Sequence, residues 1–265
     1  MTTPRREAIK VSAYFQKNWR MTRRNVFTVF EVVFWPVVGL LSVGLMTVFL
    51  DLDREAAVFV LVGTLAMSIV HVCQLDVAYA VLFDMWAKSI KHEMLAPVEP
   101  WHIALGAWLM GLLRGGIVFT LLSIVSHWVF GVNFLAPGWV AAGAFLIGLL
   151  LSAAGIGLLV TTLLLLFGLR AEVSAWSGVS LLLLACGIYY PVSLLPKPLV
   201  AVAAGIPLTY FLDAFRGHYG FTPVFAMPLL WGYLTALAYL FGGYAAFRWA
   251  VTRARRTGML LKLSD

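Results

Sequence analysis

The sequence predicts an all-α integral membrane protein. It would have six transmembrane helices, an N-terminal amphipathic interfacial helix, a short cytoplasmic helix after the second span, and outer re-entrant helices before the last span. Three observations lead there. The 265 residues are 62% hydrophobic and 12% charged, with a mean hydropathy of +0.93, whereas soluble domains carry about 25% charged residues. So few charges cannot give a soluble chain its polar cover. Apolar runs recur at the length of about 20 residues that a helix needs to cross hydrocarbon while satisfying its own backbone. The formal charge of +7 is gathered at the termini. Arg5, Arg6, Lys10, Lys17, Arg20, Arg23 and Arg24 precede the first apolar run, and Arg248, Arg253, Arg255, Arg256 and Lys262 close the chain. Basic clusters beside apolar spans set topology rather than bind nucleic acid.

The elements follow in order. In residues 1–25, Ile9, Val11, Tyr14, Phe15 and Trp19 alternate with Arg6, Lys10, Lys17 and Arg20. That spacing suits a helix lying on the inner membrane surface, with Tyr14 and Trp19 as interfacial aromatics. Spans are expected at 26–50, 56–83, 102–130, 138–167, 173–190 and 225–251. With both termini in the cytoplasm, the inner segments also collect Lys88, Lys91 and Arg170, and the outer loops hold Arg54, Lys197 and Arg216. Residues 84–100 are amphipathic and of mixed charge, and end on Pro97 and Pro100. Trp86, Met94 and Leu95 give them an apolar face that fits a partner's groove. Residues 191–223 are apolar but broken by Pro196, Pro198, Gly205, Pro207, Gly217 and Gly220, which suits two short helices dipping into the outer leaflet against other spans.

The motifs of soluble chemistry are missing from the sequence. It contains no G-x-x-x-x-G-K-[ST] phosphate loop, no H-E-x-x-H or cysteine-pair metal spacing, and no G-x-S-x-G nucleophile motif. Cys73 and Cys186 both lie in apolar runs and read as packing residues. Ionisable residues inside spans are then the functional candidates, because a lipid-facing charge costs about 3 kcal/mol or more. They are Glu31, His71, Asp76 and Arg114. Glu31 and Arg114 lie close enough to the cytoplasmic face to snorkel or to form a structural ion pair. Arg114 facing a transport path would favour an anionic headgroup. His71, Gln74 and Asp76 make the second span's most polar stretch. An intramembrane lipid-modifying enzyme using His71 and Asp76 is an alternative, weakened because five residues on a helix separate two side chains by about 140°. A channel is a further one.

The loop H-E-M-L-A-P-V-E-P, which includes Glu93, Met94, Leu95 and Pro97, resembles the E-x-L-L-x-x-P coupling segment of ABC-2 permeases, the membrane subunits of type-2 ATP-binding-cassette exporters. Glu99 stands where that family has a small hydroxyl residue. G-I-Y-Y-P-V-S-L-L-P, followed by I-P-L-T-Y-F-L-D-A-F-R up to Arg216, resembles the family's signature around the end of its fifth span. The resemblance extends over the whole chain as a single transmembrane domain, residues 1–265. It implies a second permease chain, a homodimer being expected, and separate ATPase subunits that bind ATP and magnesium, so this chain would hold no cofactor itself. It also implies that Lys88, Lys91, Glu93, Met94, Leu95 and Pro97 engage the ATPase, and that the N-terminal helix relays its motion. Tyr189, Tyr190 and Tyr210 would bound the exit of the path. The expected location is the inner membrane of a bacterium or archaeon, and the expected cargo is a lipid-linked, glycoconjugate or drug-like amphiphile.

Overall fold

A computed structural model describes residues 4–24, 26–96 and 98–257, excepting the side chains of residues 27–29, 31, 91, 94, 95 and 183. Pro97 and Lys262 therefore lie outside the described residues, and so do the side chains of Glu31, Lys91, Met94 and Leu95. Helices form wherever apolar runs leave the backbone to satisfy itself: α1 (Pro4–Arg24), α2 (Val26–Phe49), α3 (Arg54–Trp86), α4 (Ile90–Leu95), α5 (Pro100–Phe130), α6 (Trp139–Phe167), α7 (Val173–Ala185), α8 (Lys197–Ala204), α9 (Pro207–Gly217) and α10 (Pro228–Arg256). No strand occurs among the described residues.

Five of these, α2, α3, α5, α6 and α10, are long and apolar enough to cross a membrane alone. The expected fifth span at 173–190 is corrected to the 13-residue α7, which ends at Ala185. Its rise of about 20 Å falls short of a hydrocarbon core of about 30 Å. Gly187 takes a left-handed φ of 66° and breaks the run. The chain still changes ends across this segment. At its start, the Trp86 indole N–H donates to Glu172 at 3.4 Å, and Trp176 meets Tyr79 at 6.5 Å. At its far end, Ile188 lies against Gly63, where any Cβ would strike the Ile188 carbonyl.

The broken segment forms α8 and α9, bent by 92°. Residues 187–188 sit beside the start of α3, and α10 begins beside the start of α6, where the Tyr233 hydroxyl donates to the Ala144 carbonyl at 2.7 Å. The segment thus leaves and returns at the same end of the bundle. In between it dips inward until Phe215 stacks on Phe145 at 4.1 Å. Arg216 is not an outer-loop charge as expected but is 5% exposed. Its guanidinium donates to the carbonyls of Gly187 (2.7 Å), Ile188 (2.6 Å) and Phe59 (2.9 Å) and lies 3.4 Å from the Phe59 ring centroid. One side chain therefore ties α9, the chain after α7 and the start of α3 together.

Small residues set the helix spacing. A Cβ on Gly111 would stand 2.6 Å from Cys73 Sγ, and one on Gly243 would stand 2.9 Å from the Gly155 carbonyl oxygen, so α5 closes on α3 and α10 on α6 backbone to backbone. α1 packs along α5 through Val11, Tyr14 and Asn18, one face at helical spacing. Tyr14 is therefore 6% exposed rather than an interfacial aromatic. Arg6, Ile9 and Trp19 remain exposed on the outside of α1.

Candidate functional site

Two of the expected intramembrane residues and one of the expected exit tyrosines meet in one cleft. His71, Arg114 and Tyr189 line a cavity of about 220 Å³ between α2 and α3. The α3 wall carries a stripe, Thr64, Ser68, His71, Leu75 and Tyr79, at three- and four-residue steps, flanked by Met67 and Val72. The Thr64 and Ser68 hydroxyls donate to the carbonyls of Val60 and Thr64, each at 2.9 Å, so toward the cleft they offer acceptor oxygens. The α2 wall is Val32, Trp35, Pro36 and Gly39. Pro36 has no N–H, so the Val32 carbonyl loses its helical donor beside the cleft. A Cβ on Gly39 would meet nothing within 4 Å. The result is a slot with one polar stripe and apolar or aromatic walls elsewhere, suited to a molecule that is itself half polar.

Beneath the slot lies a buried ion pair. Arg114 Nη1 donates to Asp76 Oδ1 and Arg114 Nη2 to the Thr22 hydroxyl, with Arg114 6% and Asp76 5% exposed. Arg114 is thus committed to a carboxylate, which corrects the expectation of a cation offered to an anionic headgroup. Asp76 is held by Arg114, which does not favour the alternative of an acid/base pair with His71. Of the expected exit tyrosines, only Tyr189 lines the cleft. Tyr190 donates its hydroxyl to the Leu184 carbonyl at 2.6 Å and Tyr210 to the Ala204 carbonyl at 2.7 Å.

A second cluster joins α1 to the loop after α3. Lys17 Nζ lies 2.7 Å from Asp84 Oδ2 and 2.7 Å from each Glu93 oxygen. Glu93, expected to engage a partner, is instead turned inward as a tether between α4 and α1. Burial pushes its carboxyl up to about 8, helped by the neighbouring Asp84 and opposed by Lys17. One cation thus faces two carboxyl groups. The Tyr14 phenol is also pushed up, by burial and then by Glu93 and Asp84. Ile90, fully buried, anchors α4 from below. Lys88 and His92 are exposed. Lys88 takes a left-handed φ of 54° at the end of α3. Its N–H donates to the Met85 carbonyl at 3.1 Å and that of Ser89 to the Asp84 carbonyl at 2.8 Å, a Schellman closure with lysine where glycine is usual.

A third contact fixes the other end of α1. His102 Nδ1 accepts the Glu99 N–H at 3.0 Å, which leaves Nε2 to carry the proton given to Glu7. Glu7 also takes Lys10 at 3.0 Å, and Lys10 and then His102 hold its carboxyl below the usual range. Sequence reasoning missed His102, Lys17, Asp84 and Thr22. The three-residue step between Glu99 and His102, a capping-box spacing, was the only local signal among them.

The match to known proteins covers the cleft, the ion pair beneath it and the Lys17 cluster. The family described as ABC-2 type transporter matches residues 10–219, from within α1 to just beyond α9. The chain is also similar to an uncharacterized protein of Archaeoglobus fulgidus, at 45% identity over 47 residues, which is 18% of this chain and 73% of the relative. With most of its length matched, its multiple apolar helices and its re-entrant break, this chain belongs to the ABC-2 type transporter family and is a multi-pass membrane permease.

Proposed function

We propose that this permease is the membrane half of an ATP-driven exporter that moves a lipid-linked, glycoconjugate or drug-like amphiphile out of the cytoplasm or inner leaflet. A continuous series of contacts carries this reading. α4 is tied to α1 by Glu93 and Lys17, and α1 is tied through Thr22 to Arg114 at the wall of the cleft. Lys17 and Thr22 stand about 7.5 Å apart along one rigid helix. A push on the loop around α4 is thereby delivered to the Arg114–Asp76 pair and the α3 wall, as a rigid-body device requires. An ATP-binding-cassette subunit would supply that push and hold ATP and magnesium. The whole chain, residues 1–265, acts as one transmembrane unit in this reading. Its α1 and α10 basic clusters face the cytoplasm of a bacterial or archaeal cell. The exposed α2 residues Phe30, Phe34 and Trp35 would be covered by lipid and by a second permease chain.

Because Glu93 points inward, the docking test belongs to the outward residues. A Lys88→Glu, His92→Glu double variant is expected to lose a candidate ATPase subunit on co-purification from detergent while unfolding at the wild-type temperature. Retention of the ATPase by that variant, or failure of the wild type to bind any such subunit, would overturn the reading.

A further inference from the structure

A second cavity, of about 280 Å³, lies on the opposite side of α3 from the cleft, between α5 and α10 over α6. Ala104 and Ala154 leave the space, and Trp101, Trp108, Phe241 and Tyr244 stand around it. Its chemistry differs from that of the cleft. Among the described residues no charged side chain lines it, and the Trp108 indole N–H is spent on the Leu150 carbonyl at 3.0 Å, so it offers little to a polar cargo. Its length along α5, from Trp101 to Trp108, is about 10 Å. A slot of about 280 Å³ with apolar walls suits part of a single hydrocarbon chain.

What lies at its mouth decides the occupant. Phe241, Tyr244 and Arg248 follow one another on a single stripe of α10. Arg248 is exposed, and among the described residues it makes no ion pair. On the same turn Trp249 is 53% exposed, and Arg253 lies 5.5 Å from its ring centroid. Amphipathic aromatics with arginines mark the headgroup level of a bilayer. Trp101, at the start of α5, belongs to this basic end of the bundle too. From this apolar slot, with the exposed Arg248 one helical turn beyond its Tyr244 wall, we infer that the groove between α5 and α10 is a binding site for an anionic phospholipid. One acyl chain lies along Ala104 and Ala154, and the phosphate sits on Arg248. The inference is independent of the exporter reading and assigns the lipid a fixed place on the permease rather than the role of cargo.

Native mass spectrometry of the delipidated full-length chain, titrated with phosphatidylglycerol or with phosphatidylcholine of identical acyl chains, tests it. One phosphatidylglycerol is expected to bind tightly and saturably, with phosphatidylcholine weaker by about fivefold, the effect of one arginine at an anionic surface. Arg248→Gln is expected to bring phosphatidylglycerol down to the phosphatidylcholine level, and Ala104→Phe, which fills the groove, to weaken both. Equal binding of the two lipids by the wild type, or unchanged phosphatidylglycerol binding by Arg248→Gln, overturns the site. A sterol-like molecule or detergent retained in its place does so as well.

Discussion

Arg216→Leu is expected to be among the most damaging single substitutions in this chain, lowering stability by roughly 3 kcal/mol or more. It strands the carbonyls of Gly187 and Ile188, removes the bond that ties them to the Phe59 carbonyl of α3, and removes the Phe59 stacking contact. Arg216→Lys keeps the charge but not the planar fork of donors, so it should recover only part of the loss. Gly63→Val should match the leucine variant, because Gly63 sits against the Ile188 carbonyl that Arg216 also holds. Thermal unfolding in detergent reads all three. A leucine variant that unfolds at the wild-type temperature would show that the junction of α3, α7 and α9 does not depend on this clamp.

Asp76→Leu carries a comparable cost for a different reason. Removing one partner of a buried pair leaves an uncompensated charge, typically worth about 3–5 kcal/mol, and Arg114 has little solvent to turn to at 6% exposure. The Asp76→Leu, Arg114→Leu double variant should regain much of that stability, since two apolar residues leave no orphaned ion. The double-mutant cycle is expected to give a coupling of about 2 kcal/mol or more. Additive single losses would mean that the pair contributes nothing as a pair. The double variant should fold and yet fail to transport, because its link from Thr22 to the cleft is gone.

Much of this architecture is legible in the sequence because lipid imposes a local rule. Runs of apolar residues near the spanning length gave α2, α3, α5, α6 and α10 within a few residues, and prolines and glycines marked the broken segment. The shortened α7 was hidden because Cys186 and Ile188 carry the apolar run past Ala185, while the left-handed φ at Gly187 breaks the helix there. The contacts that build the site are invisible for another reason. Lys17 and Asp84 are 67 positions apart, and Glu7 and His102 are 95 apart. No periodicity within one helix records a partner in another. Arg216 shows the same gap, since an arginine after a short apolar helix reads as a loop charge until its three carbonyl partners are placed around it. At Tyr14 a signal was present and misweighted. Its stripe with Val11 and Asn18 marked a packed face, but aromatic character favoured the interface.

The central claim is that motion of the loop around α4 reaches the cleft through Lys17, α1 and Arg114. Its most direct measurement is the distance between spin labels on Gly39→Cys and Ser68→Cys, across the cleft, in the permease assembled with its ATPase, with and without ATP. The account predicts a nucleotide-dependent change in that distance for the otherwise native chain and none for the same chain carrying Lys17→Met, with the ATPase still bound. An equal change in the Lys17→Met chain would contradict it.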